Sequence, residues 1–311
     1  MKKEAFFSYF SPSQLLEEIE KDEKKHKKYQ QYQGNKSPSK ESSYLAAFHF
    51  LTLYMEVKKE QHKFACLTKD AAQLAQKAFS LPPFIFGVTG SVAVGKTSFS
   101  KMLAQYLSGL FPQKKILILS TDGFLWPSDY LKQHALLQRK GFPESYDITS
   151  LLHCLAKVKL QQGKNFAPLY SHEIYDIIPD KKMCLDGVDI LIVEGINILQ
   201  YYPDNTSKAL PFISDFIDAT LYLEAEEGDI KNWYLQRFKH LRQAAENNEN
   251  CYFHRYALMA EEEALSIAED LWQNINLKNF CENIAPYKNR AQFIVGKRKN
   301  HQLRYLAVRK F

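Results

Sequence analysis

Gly90-Ser91-Val92-Ala93-Val94-Gly95-Lys96-Thr97 is the segment of this chain whose residue types and spacing carry the clearest chemistry. The spacing G-x-x-x-x-G-K-[ST] suits a loop that cradles phosphate. Glycines let backbone N–H groups curl around the anion, and the N-terminus of a following helix adds positive potential. Lys96 would reach the outer phosphates, and the Thr97 hydroxyl can ligate Mg²⁺. Such a pattern arises by composition alone in roughly one in a hundred chains of this length, so its flanks decide its meaning. Here Phe84-Ile85-Phe86-Gly87-Val88-Thr89 reads as a strand. Phe99, Met102, Leu103, Tyr106, Leu107 and Leu110 recur at helical spacing behind the loop. Strand, glycine loop and helix together are the context that a phosphate site needs.

Two carboxylates stand at the ends of other apolar runs. Asp122 follows Lys115-Ile116-Leu117-Ile118-Leu119-Ser120-Thr121, and Glu194 follows Asp189-Ile190-Leu191-Ile192-Val193. Asp122 in that place could take a proton from an attacking hydroxyl or hold magnesium through water. Glu194 resembles the acidic strand end that assists Mg²⁺ in phosphate-loop enzymes. Tyr170, His172 and Tyr175 lie in a polar, aromatic segment, Pro168 to Asp176, read as a loop that could line a small polar substrate; Lys140 to Asp147 reads as a second such loop. A helix beginning near Glu226 would put Tyr234 and Arg237 on one face, where an Arg could balance charge on a transferred phosphate.

The elements that must position these groups follow from the apolar pattern. Besides the three strands above, runs at 216–223 and 292–295 read as a fourth and a fifth. Near-continuous apolar strands suit a sheet buried on both faces, so the expected fold class is α/β: a doubly wound, mainly parallel sheet. In such sheets ligands bind beyond the carboxyl ends of the strands, where the loop, Asp122 and Glu194 would meet. Tyr44 to about Leu67 reads as an amphipathic helix, with Leu45, Phe48, Leu51 and Met55 on its apolar stripe, and Pro82-Pro83 ends helical structure before the first core strand. Residues 1–43 read as a polar N-terminal segment and 44–311 as a single domain with its core from about 84.

With 311 residues, 45% of them apolar, the chain can bury a large core. No run is long enough to cross a membrane as a helix, and the opening residues lack the apolar core of a secretory leader. Five dispersed cysteines without a C-x-x-C pair point to reduced thiols in a cytoplasm, not to zinc or disulfides. The formal charge of +6 is concentrated in the lysine-rich stretch 21–40, where interspersed Glu and Lys suit a solvated face better than a nucleic-acid surface.

Several co-linear motifs go further. GSVAVGKT at 90–97, TDGF at 121–124, GFPESYD at 141–147, Tyr170-Ser171-His172 with Ile174-Tyr175-Asp176, VEGINILQ at 193–200, and Trp233-Tyr234 with Arg237-Phe238 together resemble bacterial type I pantothenate kinase. The similarity runs from about residue 84 to the C-terminus, with the helix from Tyr44 fitting more weakly. The resemblance implies ATP- and Mg²⁺-dependent phosphorylation of the primary hydroxyl of pantothenate, the first step toward coenzyme A. It implies ATP phosphates on Gly90–Thr97, Lys96 and Arg237 acting with Asp122 as general base, and metal at Thr97 and Glu194. It implies a pantothenate pocket at Tyr170, His172, Tyr234 and Asn276, a homodimer, and inhibition by coenzyme A in competition with ATP at sites including Lys101, His172 and Phe238. The sequence departs from the family pattern where Trp126 replaces an expected His and Lys101 an expected Arg. A kinase of the same superfamily acting on uridine or a phosphosugar, or a nucleotide-dependent regulatory protein without catalysis, are the alternative readings.

Overall fold

The computed structural model describes residues 6–20, 42–69, 81–201 and 211–310. The lysine-rich stretch at 21–40 therefore lies outside the described residues. In chain order the strands are β1 (Phe7–Phe10), β2 (Phe84–Gly90), β3 (Ile116–Ser120), β4 (Phe166–Ser171), β5 (Asp176–Cys184), β6 (Ile190–Glu194), β7 (Ala219–Glu224), β8 (Phe293–Lys297) and β9 (Leu303–Arg309). The principal helices are α1 (Pro12–Glu20), α2 (Leu45–Lys69), α3 (Lys96–Leu110), α4 (Ser128–Gln133), α5 (Ile148–Leu160), α6 (Glu227–Ala244), α7 (His254–Ala257) and α8 (Glu261–Leu271).

Seven strands form one sheet in the order β1-β9-β8-β7-β2-β6-β3. Five neighbouring strands, β3, β6, β2, β7 and β8, are parallel; β9 pairs antiparallel with β8, and β1 pairs antiparallel with β9 at the edge opposite β3. Every residue of β2 and β6 is buried, as continuous apolar runs require when helices cover both faces. One face packs under α2 and α3: Phe48, Leu51 and Met55 meet Phe86, Val88, Phe99, Leu103 and Leu107 in a single core. The other packs under α5, with Leu151, Leu155 and Val158 against Ile85, Leu191 and Val193. The α/β class, the parallel sheet and the helix from residue 44 are as the apolar pattern predicts.

Three departures have local causes. The fourth strand begins at Ala219 instead of 216, because Ile213–Phe216 closes a 3-10 turn and the Asp218 carboxylate accepts the backbone N–H of Ile85 at 2.7 Å. The segment expected as a loop at 168–176 is largely strand: β4 pairs antiparallel with β5 in a two-stranded hairpin outside the main sheet. Its strands are mostly exposed or half-buried, and each is interrupted by a proline, Pro168 in β4 and Pro179 in β5, so neither reads as a buried core strand. β1 and β9 carry no prediction from sequence. β1 alternates in burial and only four residues pair, Phe7 to Phe10 against Leu306 to Arg309.

The parallel register aligns the site. Gly90 lies opposite Leu223 and Ser120 opposite Glu194, so the turns after β2, β3, β6 and β7 leave the sheet along one edge.

Candidate active site

The phosphate loop turns between β2 and α3 with left-handed backbone at Ala93 (φ 61°) and Gly95 (φ 91°), and α3 starts at Lys96. The Lys96 ammonium bends back over the loop, donating to the Ser91 carbonyl at 2.9 Å and the Gly90 carbonyl at 3.2 Å. Burial lowers its pKa; Glu194 and Asp122 oppose that shift and Arg237 adds to it. Those same interactions put Lys96 among two carboxylates and Arg237, groups that the sequence separates by up to 141 residues.

Glu194, buried at the end of β6, accepts the Thr97 hydroxyl at 3.0 Å. Burial raises its pKa, Lys96 counters this, Asp122 adds to it, and hydrogen bonds from Thr97 and Ser120 lower it again. A carboxylate and a hydroxyl so placed are hard oxygen donors, the kind that Mg²⁺ takes while keeping waters and substrate phosphates as its other ligands. Among the described residues no group of three or more His, Cys, Asp or Glu gathers to hold a metal by itself.

Asp122 sits in the 3-10 turn after β3, half-buried, with the Tyr146 hydroxyl 3.4 Å from its Oδ1. Lys96, Lys140, Tyr170, His172, Tyr175 and Glu194 all feel its charge, which makes Asp122 the electrostatic hub of the site. The β4–β5 hairpin approaches through Gly123, where an added Cβ would lie 2.4 Å from the Pro168 carbonyl oxygen. Only a residue without a side chain admits that contact.

The hairpin brings Tyr170 and His172 to this hub. Their rings meet edge to face at 5.2 Å, and Tyr175 stacks on Tyr252 at 4.3 Å. His172 is exposed, yet partial desolvation and then Arg237 and Lys96 lower its pKa, with Asp122 opposing; the imidazole is thereby biased toward its neutral form. Tyr234 on α6 shares a hydrogen bond with Asn276, and burial pushes its pKa up to about 12. The Asn276 amide also donates to the Leu271 carbonyl at 3.2 Å. Asn276 ends a π turn, Trp272–Asn276, that follows α8. Arg237 is exposed one turn beyond Tyr234, whereas Phe238 is buried against Phe253 and Tyr256. Lys101 is exposed on α3, just over one turn past Lys96. Trp126 stacks on Tyr130 at 4.6 Å.

Two lysines escaped the sequence reading. Lys140 lies 4.4 Å from the centre of the Tyr175 ring and 5.5 Å from that of Tyr170, and its ammonium donates to the Tyr175 carbonyl and the Ser128 hydroxyl. Burial lowers its pKa against the pull of Asp176 and Asp122. Its signal was its place beside Gly141 in a segment already singled out. Lys297, buried at the end of β8, donates to the Val94 carbonyl inside the phosphate loop and lies 5.0 Å from the Trp233 ring centre. A lysine closing the apolar run Phe293-Ile294-Val295-Gly296 is its only sequence trace.

Known proteins resemble this chain in family and in fold. Residues 85–244 match the model of the Phosphoribulokinase / Uridine kinase family. A pantothenate kinase of Rhizobium rhizogenes is 47% identical over 230 residues, 73% of this chain and 69% of that protein. One from Agrobacterium fabrum is 47% identical over 229 residues, 73% of this chain and 71% of its own length. The chain belongs to the pantothenate kinase family. It is a phosphotransferase with a nucleotide-binding phosphate loop, and no described helix is long and apolar enough to cross a membrane. Among solved structures, a putative fructose transport system kinase from Silicibacter covers 66% of this chain and 86% of its own at TM-score 0.50 and 20% identity. D-glycerate 3-kinase from Cryptococcus neoformans covers 78% and 96% at TM-score 0.50 and 16% identity. At those identities the likeness is one of fold.

Proposed function

We infer that this protein transfers the terminal phosphate of ATP to the primary hydroxyl of pantothenate, the step that opens coenzyme A synthesis. The observation that carries this reading is the convergence of the phosphate loop, Asp122 and the aromatic, polar pocket at one sheet edge, in a chain 47% identical to pantothenate kinases. Asp122 accepts the hydroxyl proton as oxygen attacks phosphorus, and ADP departs in line without a covalent enzyme intermediate. Lys96 and Arg237 balance charge on the transferred group. Mg²⁺ bound by Thr97 and Glu194 would neutralise phosphate oxygens of ATP. Tyr170, His172, Tyr234 and Asn276 orient the acceptor.

A panel assay tests the substrate. With ATP and Mg²⁺, transfer to pantothenate is expected to exceed transfer to uridine or ribulose 5-phosphate by orders of magnitude, and preference for either of those would overturn the reading. Coenzyme A added to the same assay is expected to raise the ATP requirement, with Lys101, His172 and Phe238 among its contacts. Lys offers a point charge without the fork of Arg, so this inhibition should be weaker than an Arg at 101 would give. Sedimentation of the purified chain at assay concentration is expected to show a homodimer, and cell fractionation a cytoplasmic enzyme.

The acceptor pocket has its own test. His172→Ala and Tyr234→Phe are each expected to raise the KM for pantothenate about tenfold, the equivalent of one hydrogen bond at roughly 1.4 kcal/mol. The KM for ATP should stay near the parent value, since both side chains stand on elements other than the phosphate loop. Steady-state kinetics with each substrate varied in turn would show a misassigned pocket as an effect confined to ATP.

A further inference from the structure

The turn that carries Asp122 and the turn that follows Glu194 are joined by a hydrogen bond sealed from water. The Thr121 hydroxyl donates to Asn197 Oδ1 at 2.7 Å, and both residues are fully buried. Thr121 directly precedes Asp122, and Asn197 stands three residues beyond Glu194. Between them the chains approach so closely that a Cβ on Gly195 would lie 1.9 Å from the Thr121 hydroxyl and 2.9 Å from Asn197 Oδ1. The same turn is tied to the strand that delivers the phosphate loop: Gly195 N–H donates to the Val88 carbonyl at 3.0 Å, and the Thr89 hydroxyl to the Ile196 carbonyl at 3.3 Å. A continuous set of contacts thus runs from β2 through Gly195, Ile196 and Asn197 to Thr121.

Asp122 itself is held loosely by comparison. Its backbone N–H meets the Ser120 hydroxyl at 3.3 Å, and among the described residues its carboxylate receives only the long bond from Tyr146. The Asn197 amide nitrogen is buried with no hydrogen-bond partner among the described residues, a cost that an apolar pair of similar size would avoid. Retaining a polar pair under that cost is consistent with a need for directionality, because a hydrogen bond fixes distance and angle where an apolar contact would slide.

We propose that Thr121 and Asn197 are positioning residues that hold Asp122 at its working distance from the phosphate loop and Glu194. The proposal rests on the assignment of Asp122 as the base. It predicts a loss in turnover without a loss in nucleotide binding, since neither side chain belongs to the phosphate loop.

Thr121→Val keeps the volume and removes the donor. It is expected to lower kcat by about 10- to 100-fold, the scale of a misplacement near 1 Å, while the KM for ATP changes by less than about twofold. Thr121→Ser keeps the donor and should restore most of the turnover. Should Thr121→Val fail to fold, Thr121→Ala removes the same hydroxyl without adding a methyl group and carries the same expectation. In an Asp122→Ala background, Thr121→Val should cost nothing further, because residues acting as a unit are not additive. A kcat within twofold of the parent in folded Thr121→Val or Thr121→Ala, or a Ser variant as impaired as the Val, would overturn the proposal. So would an undiminished loss in the Asp122→Ala background. If Asp122→Ala alone leaves turnover intact, the base assignment is what fails, and that single variant tells the two failures apart.

Discussion

Lys96→Ala should abolish measurable phosphoryl transfer while the protein remains folded. The ammonium donates to the carbonyl oxygens of Gly90 and Ser91 in its own loop, and Lys96 is no part of the apolar core, so its removal opens no apolar core. Its loss acts on the reaction twice. An ammonium group aimed at the outer phosphates disappears, and one such preorganised donor is worth about 10²- to 10³-fold in turnover. Glu194 also loses the cation that holds its pKa down against burial and against Asp122. A carboxylate biased further toward its neutral form is a poorer oxygen donor to Mg²⁺ at neutral pH, and the deficit should shrink as pH rises and Glu194 ionises. Turnover measured beside thermal unfolding separates these effects from loss of structure. Near-normal turnover in a folded Lys96→Ala protein would refute the assignment of the ATP site.

Asp122→Ala should lower turnover by about 10²- to 10⁴-fold, the usual worth of a positioned base, and leave ATP affinity nearly intact. Its carboxylate stands at the end of β3, across β6 from the phosphate-loop strand β2, and no phosphate-loop residue hydrogen-bonds to it. What it does contact electrostatically lies on the acceptor side as well: Lys140, Tyr170, His172 and Tyr175 all respond to its charge. Asp122→Asn, which keeps the shape but not the basicity, should be nearly as impaired as the Ala variant. ATP binding measured by calorimetry alongside kcat decides the role. Collapse of ATP affinity with turnover preserved at saturation would make Asp122 a nucleotide or metal ligand.

Much of this site is legible in a single sequence because its parts are local. The phosphate loop is eight consecutive residues with a strand before it and a helix after it. Asp122 and Glu194 announce themselves by ending buried apolar runs, and the rule that ligands gather beyond the carboxyl ends of parallel strands brings them to the loop without any coordinates. Tyr234 and Arg237 share a face by helical periodicity alone. Apolar periodicity likewise gives the five parallel strands and the helix from residue 44, since each needs only its own pattern of burial.

The rest is decided by chain segments that meet from far apart. Lys297 reaches the phosphate loop across 203 residues and Thr121 meets Asn197 across 76. β4 and β5 are proline-interrupted, half-exposed strands that pair with each other away from the main sheet, so no buried apolar run marks them, and β1 finds β9 only at the sheet's edge. Local patterning encodes which face of an element is apolar; it does not encode which distant polar group that element will meet. Hydrogen bonds between remote segments depend on the register and the close approach that packing creates. At Gly195 that approach leaves room for hydrogen alone. The sequence by itself thus determines the candidate groups and the sheet edge where they gather, and tertiary packing determines the distances at which they are held.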